Sequence, residues 1–153
     1  MSSSISQWAE RDPKMRRALS ALAQLPRVKH GAQVPPPLIP GDKDRYHAAC
    51  EQAGHPGHLA PEIAKAPIIE VVLGPFRCVQ HSVNPDRVAQ YLHKPNLVPK
   101  GARGEHGGLI DLPIIVKAGG SVWCHDGTHR LSAAVLHGDK TIRVRYVDLD
   151  GAR

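Results

Sequence analysis

The stretch SVWCHDGTHRLSAAVLHG, Ser121–Gly138, changes its rhythm halfway. Val122–His125 is compact and extended in character, and Asp126-Gly127 is a sharp-turn dipeptide. Thr128 to Leu136 is a helical run of small and apolar residues, and Gly138 ends it. A strand, a glycine turn and a helix therefore follow one another with no linker. Upstream, DLPIIVKAGG supplies a second strand, Leu112–Lys117, joined to Val122–His125 through a Gly-Gly turn as a hairpin. Downstream, TIRVRYVDL alternates Ile142, Val144 and Tyr146 with Arg143, Arg145 and Val147, the period of a strand.

Further out, IIEVVL (Ile68–Leu73) and FRCVQHSV (Phe76–Val83) read as extended. NPDRVAQYLHK (Asn84–Lys94) reads as a helix with a capping Asn, Pro in the first helical position and Val88, Tyr91 and Leu92 on its inner face. Residues 67–153 thus predict an α/β domain with a mixed sheet and flanking helices. Leu97–Gly108 is a glycine-rich basic loop within it, able to contact a nucleotide or nucleic acid through Lys100, Arg103, Glu105 and His106.

The N-terminal part reads differently. Ser6 to Leu25 is amphipathic, with Ser6 as cap, Trp8, Met15, Leu19 and Leu22 near one face, and Pro26 as terminator. Pro13 either opens this helix or splits it. Residues 1–32 are expected to be a helical arm that meets a protein partner. Residues 33–66 are expected to be a proline-rich linker with a short helix near Asp44–Ala53.

Bulk numbers bound the rest. The chain has 153 residues, 20 Lys and Arg against 14 Asp and Glu, and a net charge of +6 spread over both halves. Such a surface can meet nucleotide or nucleic-acid phosphates, although an ordinary basic surface has the same composition. Aromatic residues make up 4%, so the core must be aliphatic. Three cysteines without framework spacing, no apolar leader and no membrane-length apolar run point to a cytoplasmic protein that meets no membrane.

Helix starts expose backbone N–H groups and a favourable dipole, so the Asp126–Arg130 turn has the layout of an anion cradle. Gly127 allows close approach, Thr128 offers a hydroxyl, and His129 and Arg130 offer charged donors. The same residues also suit a plain turn, with Asp126 capping the helix and Arg130 in a surface ion pair. Cys78, His81, Cys124 and His125 are of zinc-ligand type, but alternation along a strand sends Cys124 and His125 to opposite faces. Buried thiols are the better reading for Cys78 and Cys124. His55 and His58 read as loop residues.

The blocks DLPIIV, WCHDGTHRLSAAVLHG and IRVRYV resemble the ParB/sulfiredoxin-like superfamily, whose signature is an apolar strand, D-G-x-H-R, a small-residue helix, a glycine and a closing strand. Val79–Leu92 is similar to the first conserved segment of that superfamily, and the resemblance spans roughly residues 67–148. It implies a nucleotide-phosphate-binding α/β domain of the small stand-alone type frequent in phages and mobile elements. It also implies ATP or CTP, with Mg²⁺, as cofactor. Gly127, Thr128, His129 and Arg130 would then contact phosphates, Gln80, His81 and Ser82 would face the same pocket, and Asp126 would shape the turn or hold the metal. Nucleotide triphosphatase or nuclease chemistry would use His81, Asp126 and His129. Sulfiredoxin chemistry is not expected, because Thr128 stands where those proteins carry their cysteine. Serine-kinase chemistry is not expected from a first segment that reads QHSV, without a carboxylate. No helix-turn-helix segment follows the block before Arg153, so centromere-type DNA reading is not expected either. The alternative is a non-enzymatic scaffold that binds DNA or protein.

Overall fold

A computed structural model describes residues 12–55, 59–93 and 112–151. Ser6, Trp8, His58 and the loop Leu97–Gly108, with Lys100, Arg103, Glu105 and His106, lie outside these residues.

Helix α1 (Pro13–Gln24) starts at Asp12, whose carboxylate accepts from Lys14 N–H at 3.0 Å, with Pro13 in the first helical position. Pro13 therefore opens the helix, where its missing N–H costs nothing. Met15, Ala18 and Leu22, one helical stripe, are buried. Two short strands follow, β1 (Arg27–Val28) and β2 (Gly31–Gln33), then α2 (Lys43–Gln52), capped by Asp42, and α3 (Ala60–Lys65). β3 is Ile68–Val72, β4 Arg77–Cys78, β5 Ser82–Val83 and α4 Pro85–His93. The hairpin β6 (Ile114–Ala118) and β7 (Ser121–Asp126), the helix α5 (Thr128–His137) and the strand β8 (Thr141–Asp148) complete the chain.

The main sheet has five strands in the order β3-β8-β6-β7-β4. β3 runs antiparallel to β8, β8 parallel to β6, β6 antiparallel to β7, and β7 parallel to β4. The sheet is mixed, as the sequence predicts. The Gly119-Gly120 turn has positive φ at both residues, 62° and 78°, and Asp150 accepts from both amides at 2.9 and 2.8 Å. β1, β2 and β5 form a separate three-stranded sheet.

Both faces of the main sheet are covered, which the alternation of side chains dictates. Ile115, Cys124 and Val144 face a layer made by α1, α4 and α5. Ile114, Val116, Trp123 and Val147 face the other way, onto Tyr46 and Cys50 of α2 and Ile63 of α3.

This packing redraws the expected division at residues 32 and 66. Met15, Ala18 and Leu22 share one core with Leu131 of α5 and Val144 of β8, so α1 is part of the domain and not a free arm. The proline-rich segment is also built in. Val34 and Leu38 are buried in that core, and Ile39 bonds Phe76 O and Cys78 N–H beside β4. Pro35 is itself buried between Val34 and the exposed Pro36 and Pro37, so the segment packs through its apolar residues and one of its prolines. Helix α3 begins at Ala60, soon after the stretch of His55 and His58. The extended reading of Phe76–Val83 breaks into β4 and β5 around a bend at 79–81.

Candidate functional site

β7 ends at Asp126 and α5 begins at Thr128, leaving Gly127 alone to make the turn. Gly127 has φ 90° and ψ 24°, the left-handed region. A Cβ built on it would stand 2.7 Å from Pro113 Cα, so the turn is pressed onto the residue that leads into β6. Asp126 Oδ1 accepts from Gly127 N–H at 2.8 Å. Leu131 N–H closes the first α5 hydrogen bond onto Gly127 O at 2.9 Å. Unlike α1 and α2, each held by an Asp at its N-cap, α5 has no side-chain cap at this position.

The second segment is strapped against this turn at two points. Val79 N–H donates to Cys124 O at 3.1 Å, and Asn84 N–H donates to His129 Nε2 at 2.9 Å. Gln80, His81 and Ser82 lie between the straps, so the fold brings them beside the β7–α5 turn. Gln80 Nε2 donates to Ser82 O at 2.7 Å and shapes this loop. His81 is exposed, and Ser82 pairs with Gln33.

Three of the expected roles change. Thr128 is 3% exposed, and its hydroxyl lies 3.6 Å from Cys124 Sγ. It faces the core and gives no hydroxyl to a phosphate, because the helix points its first residue back at β7. His129 is no charged donor. Its ring is half-buried beside Arg87, and these two influences, burial first, push its pKa down to about 4. With Nε2 accepting from Asn84, the neutral ring carries its proton on Nδ1. Arg130 is 8% exposed, with its guanidinium carbon 5.0 Å from the centre of the Tyr91 ring. It lines a cavity of about 340 Å³ beside Leu92, Leu112 and Ile142, along the flank of α5 rather than at its tip. Its guanidinium stands against the Tyr91 ring in the lining of that cavity.

What remains at the tip is backbone, Gly127 with the first amides of α5, and the carboxylate of Asp126. Asp126 is exposed with one oxygen engaged by Gly127. Among the described residues no three His, Cys, Asp or Glu side chains converge as a metal site. The zinc grouping is dissolved by geometry as well. Cys78 and Cys124 are register partners on adjacent strands and fully buried, and their mutual hydrogen bond and burial push the Cys78 thiol up. His125 leaves by the opposite face, where its Nδ1 meets the Tyr46 hydroxyl at 2.8 Å.

Sequence reasoning did not single out Tyr46, His47 and Cys50, which α2 brings to His125. The signal that bore on them was the alternation placing His125 opposite Cys124. It gave the face but not the partner. At the far end of α5, His137 donates to Asp139 Oδ1 at 2.8 Å. The C-terminal carbonyls of Val135 and Ala134 are closed by the Gly138 and Asp139 N–H groups.

No family model, curated protein or solved structure matches the chain.

Proposed function

We propose that the chain is a phosphate-binding domain, taking a nucleoside triphosphate such as ATP or CTP, or a nucleic-acid phosphate, at the β7–α5 turn. The observation that carries this reading is the start of α5: a left-handed glycine, pressed on Pro113, opens a ten-residue helix that lacks a side-chain cap. First-turn amides and the helix dipole favour an anion there. The basic Arg87 and the Gln80–Ser82 loop stand alongside. Binding, rather than cleavage, is what these residues support. Asp126 is a single carboxylate, His129 is committed to Asn84, and a divalent ion such as Mg²⁺ would arrive on the triphosphate.

The test follows the backbone amides of Gly127, Thr128 and His129 by NMR during titration with ATP, CTP, GTP, ADP and duplex DNA. Saturable shifts at these amides are expected with at least one of them. Asp126→Asn should tighten binding several-fold, because it removes a negative charge beside the helix start that would repel an anion there. Absence of shifts at these three amides with every ligand at low salt would sink the proposal.

A second reading, a protein- or DNA-binding scaffold without catalysis, is favoured by one observation. β3 is an edge strand, and Ile68, Ile69 and Val72 are the exposed large apolar residues of the described chain, Val72 at 72%. Pro67 O and Leu73 N–H bond toward β8, so the period of the ladder turns the amides of Ile68, Glu70 and Val72 to the open side.

A further inference from the structure

The main sheet ends in two unlike edges. β4, at one end of the strand order, is covered by the segment of Ile39, which accepts from Cys78 N–H at 2.9 Å and donates to Phe76 O at 3.0 Å. β3, at the other end, turns the amides of Ile68, Glu70 and Val72 away from β8. The features that commonly blunt an edge strand are turned inward here. Pro67 precedes the strand, but its carbonyl accepts from Tyr146 N–H at 3.0 Å, so its missing N–H falls on the β8 side. The pairing runs from Ile68↔Arg145 to Val72↔Thr141 without a shift in register, so no bulge twists the edge away. Glu70 is the charge of the strand, and it is drawn back over β8. Its carboxylate accepts from Thr141 Oγ1 at 2.7 Å and stands opposite Arg143.

The rim left outside is apolar on both faces. Ile69, in register with Val144, is 38% exposed on the α5 side. Ile68 and Val72, 44% and 72% exposed, lie on the opposite side. An extended strand would satisfy such an edge through its backbone and cover these side chains in alternation.

We propose, resting on the scaffold reading of this edge, that the occupant is β3 of a second copy of this chain, paired antiparallel about a twofold axis. The register follows from charge and coverage. Outward amides must meet outward amides, so one residue sits on the axis opposite its own copy. With Glu70 on the axis, two carboxylates would oppose each other, which is unfavourable. With Val71 there, Ile68 would face Gly74 and stay bare. With Ile69 there, Ile69 meets Ile69 in a close, non-hydrogen-bonded pair. Ile68 and Glu70 of the two copies then exchange main-chain hydrogen bonds, Glu70 lies against an isoleucine, and Val72 reaches Ala66 of the second copy. The contact uses a strand of 5 residues, too short for the area of a permanent dimer, so the pair forms and dissociates with concentration.

Sedimentation velocity on the full chain from about 10 µM to about 1 mM, the weak end of specific association, should show a reversible passage from monomer to dimer. Val72→Lys and Ile69→Lys should each weaken it about tenfold, by placing an ammonium against an apolar neighbour or its own copy. Val72 is exposed enough for the first variant to keep the wild-type circular dichroism spectrum. Added cysteines read the register. In oxidised glutathione, Ile69→Cys should form an intermolecular disulfide faster than Glu70→Cys, and faster than Val72→Cys although Val72 is the more exposed position. The native Cys50, Cys78 and Cys124 are buried. A chain that stays monomeric at about 1 mM overturns the self-pairing. So do lysine variants that dimerise like wild type, or a disulfide formed fastest at Glu70→Cys or Val72→Cys. Hydrogen exchange in dilute protein separates this outcome from failure of the scaffold reading. Fast exchange at Ile68, Glu70 and Val72 in a chain that never dimerises discards the second copy and keeps the edge open for a foreign strand. Slow exchange at these amides in the monomer discards both, because the edge is then covered from within.

Discussion

Gly127 has a hydrogen where any other residue would drive a carbon into Pro113. Gly127→Ala should destabilise the protein by about 2–4 kcal/mol, the sum of a left-handed backbone cost and a clash with main chain. Urea unfolding measures it, and a loss under about 0.5 kcal/mol, the range of a neutral surface change, would contradict the geometry. His129 makes a pH-dependent contribution of definite sign. Its folded pKa, about 4, lies below the ordinary 6.5. Above pH 6.5 both folded and unfolded chains hold it neutral, and its contribution is fully present. As pH falls from 6.5 toward 4, the unfolded chain takes up the proton first and stability drops. Partial exposure of the ring tempers the size of this loss but not its direction. His129→Asn can keep an acceptor for Asn84 N–H and cannot titrate. Wild type should lose more stability than this variant across that window, and parallel profiles would show that the ring is not held neutral.

At the scale of elements, α1 carries its energy on one stripe. Leu22→Ala should cost about 2–4 kcal/mol, as for other buried leucines, with the denaturant slope unchanged. A cost near zero would mean that α1 is a detachable arm after all. The contact partners argue otherwise, since α1 lies on both α4 and α5. The same helices hold the turn. Asn84, which caps α4 by accepting from Asp86 N–H, gives its own N–H to His129 on α5. The order of α4 is thereby tied to the order of the candidate phosphate site.

Across the whole molecule, the sequence made the second half legible because its periods are strong and its punctuation is glycine. β6, β7, α5 and β8 fall within a residue or two of where the pattern predicts them. The first half was misjudged at Val34 and Leu38. Prolines dominate that stretch, and no local period shows that two aliphatic residues between them reach a core built mostly by later segments. The candidate site was legible as backbone, namely Gly127 and the helix start. It was not legible as side chains. Whether Thr128 and Arg130 point at the tip or along the flank depends on what β7 and α4 place beside them, which local spacing does not encode.

One consequence of the two-sided sheet concerns reading frame within β7. Trp123 and His125 look to α2, while Cys124 between them looks to α5. A one-residue insertion or deletion before Gly127 would exchange these tenants. It would push an imidazole into the space of the paired thiols and a thiol against Tyr46. The β7–α5 turn and the Tyr46–His125 contact, on opposite sides of the sheet, thus share a single indel-intolerant ruler, and neither can drift along the strand without dismantling the other.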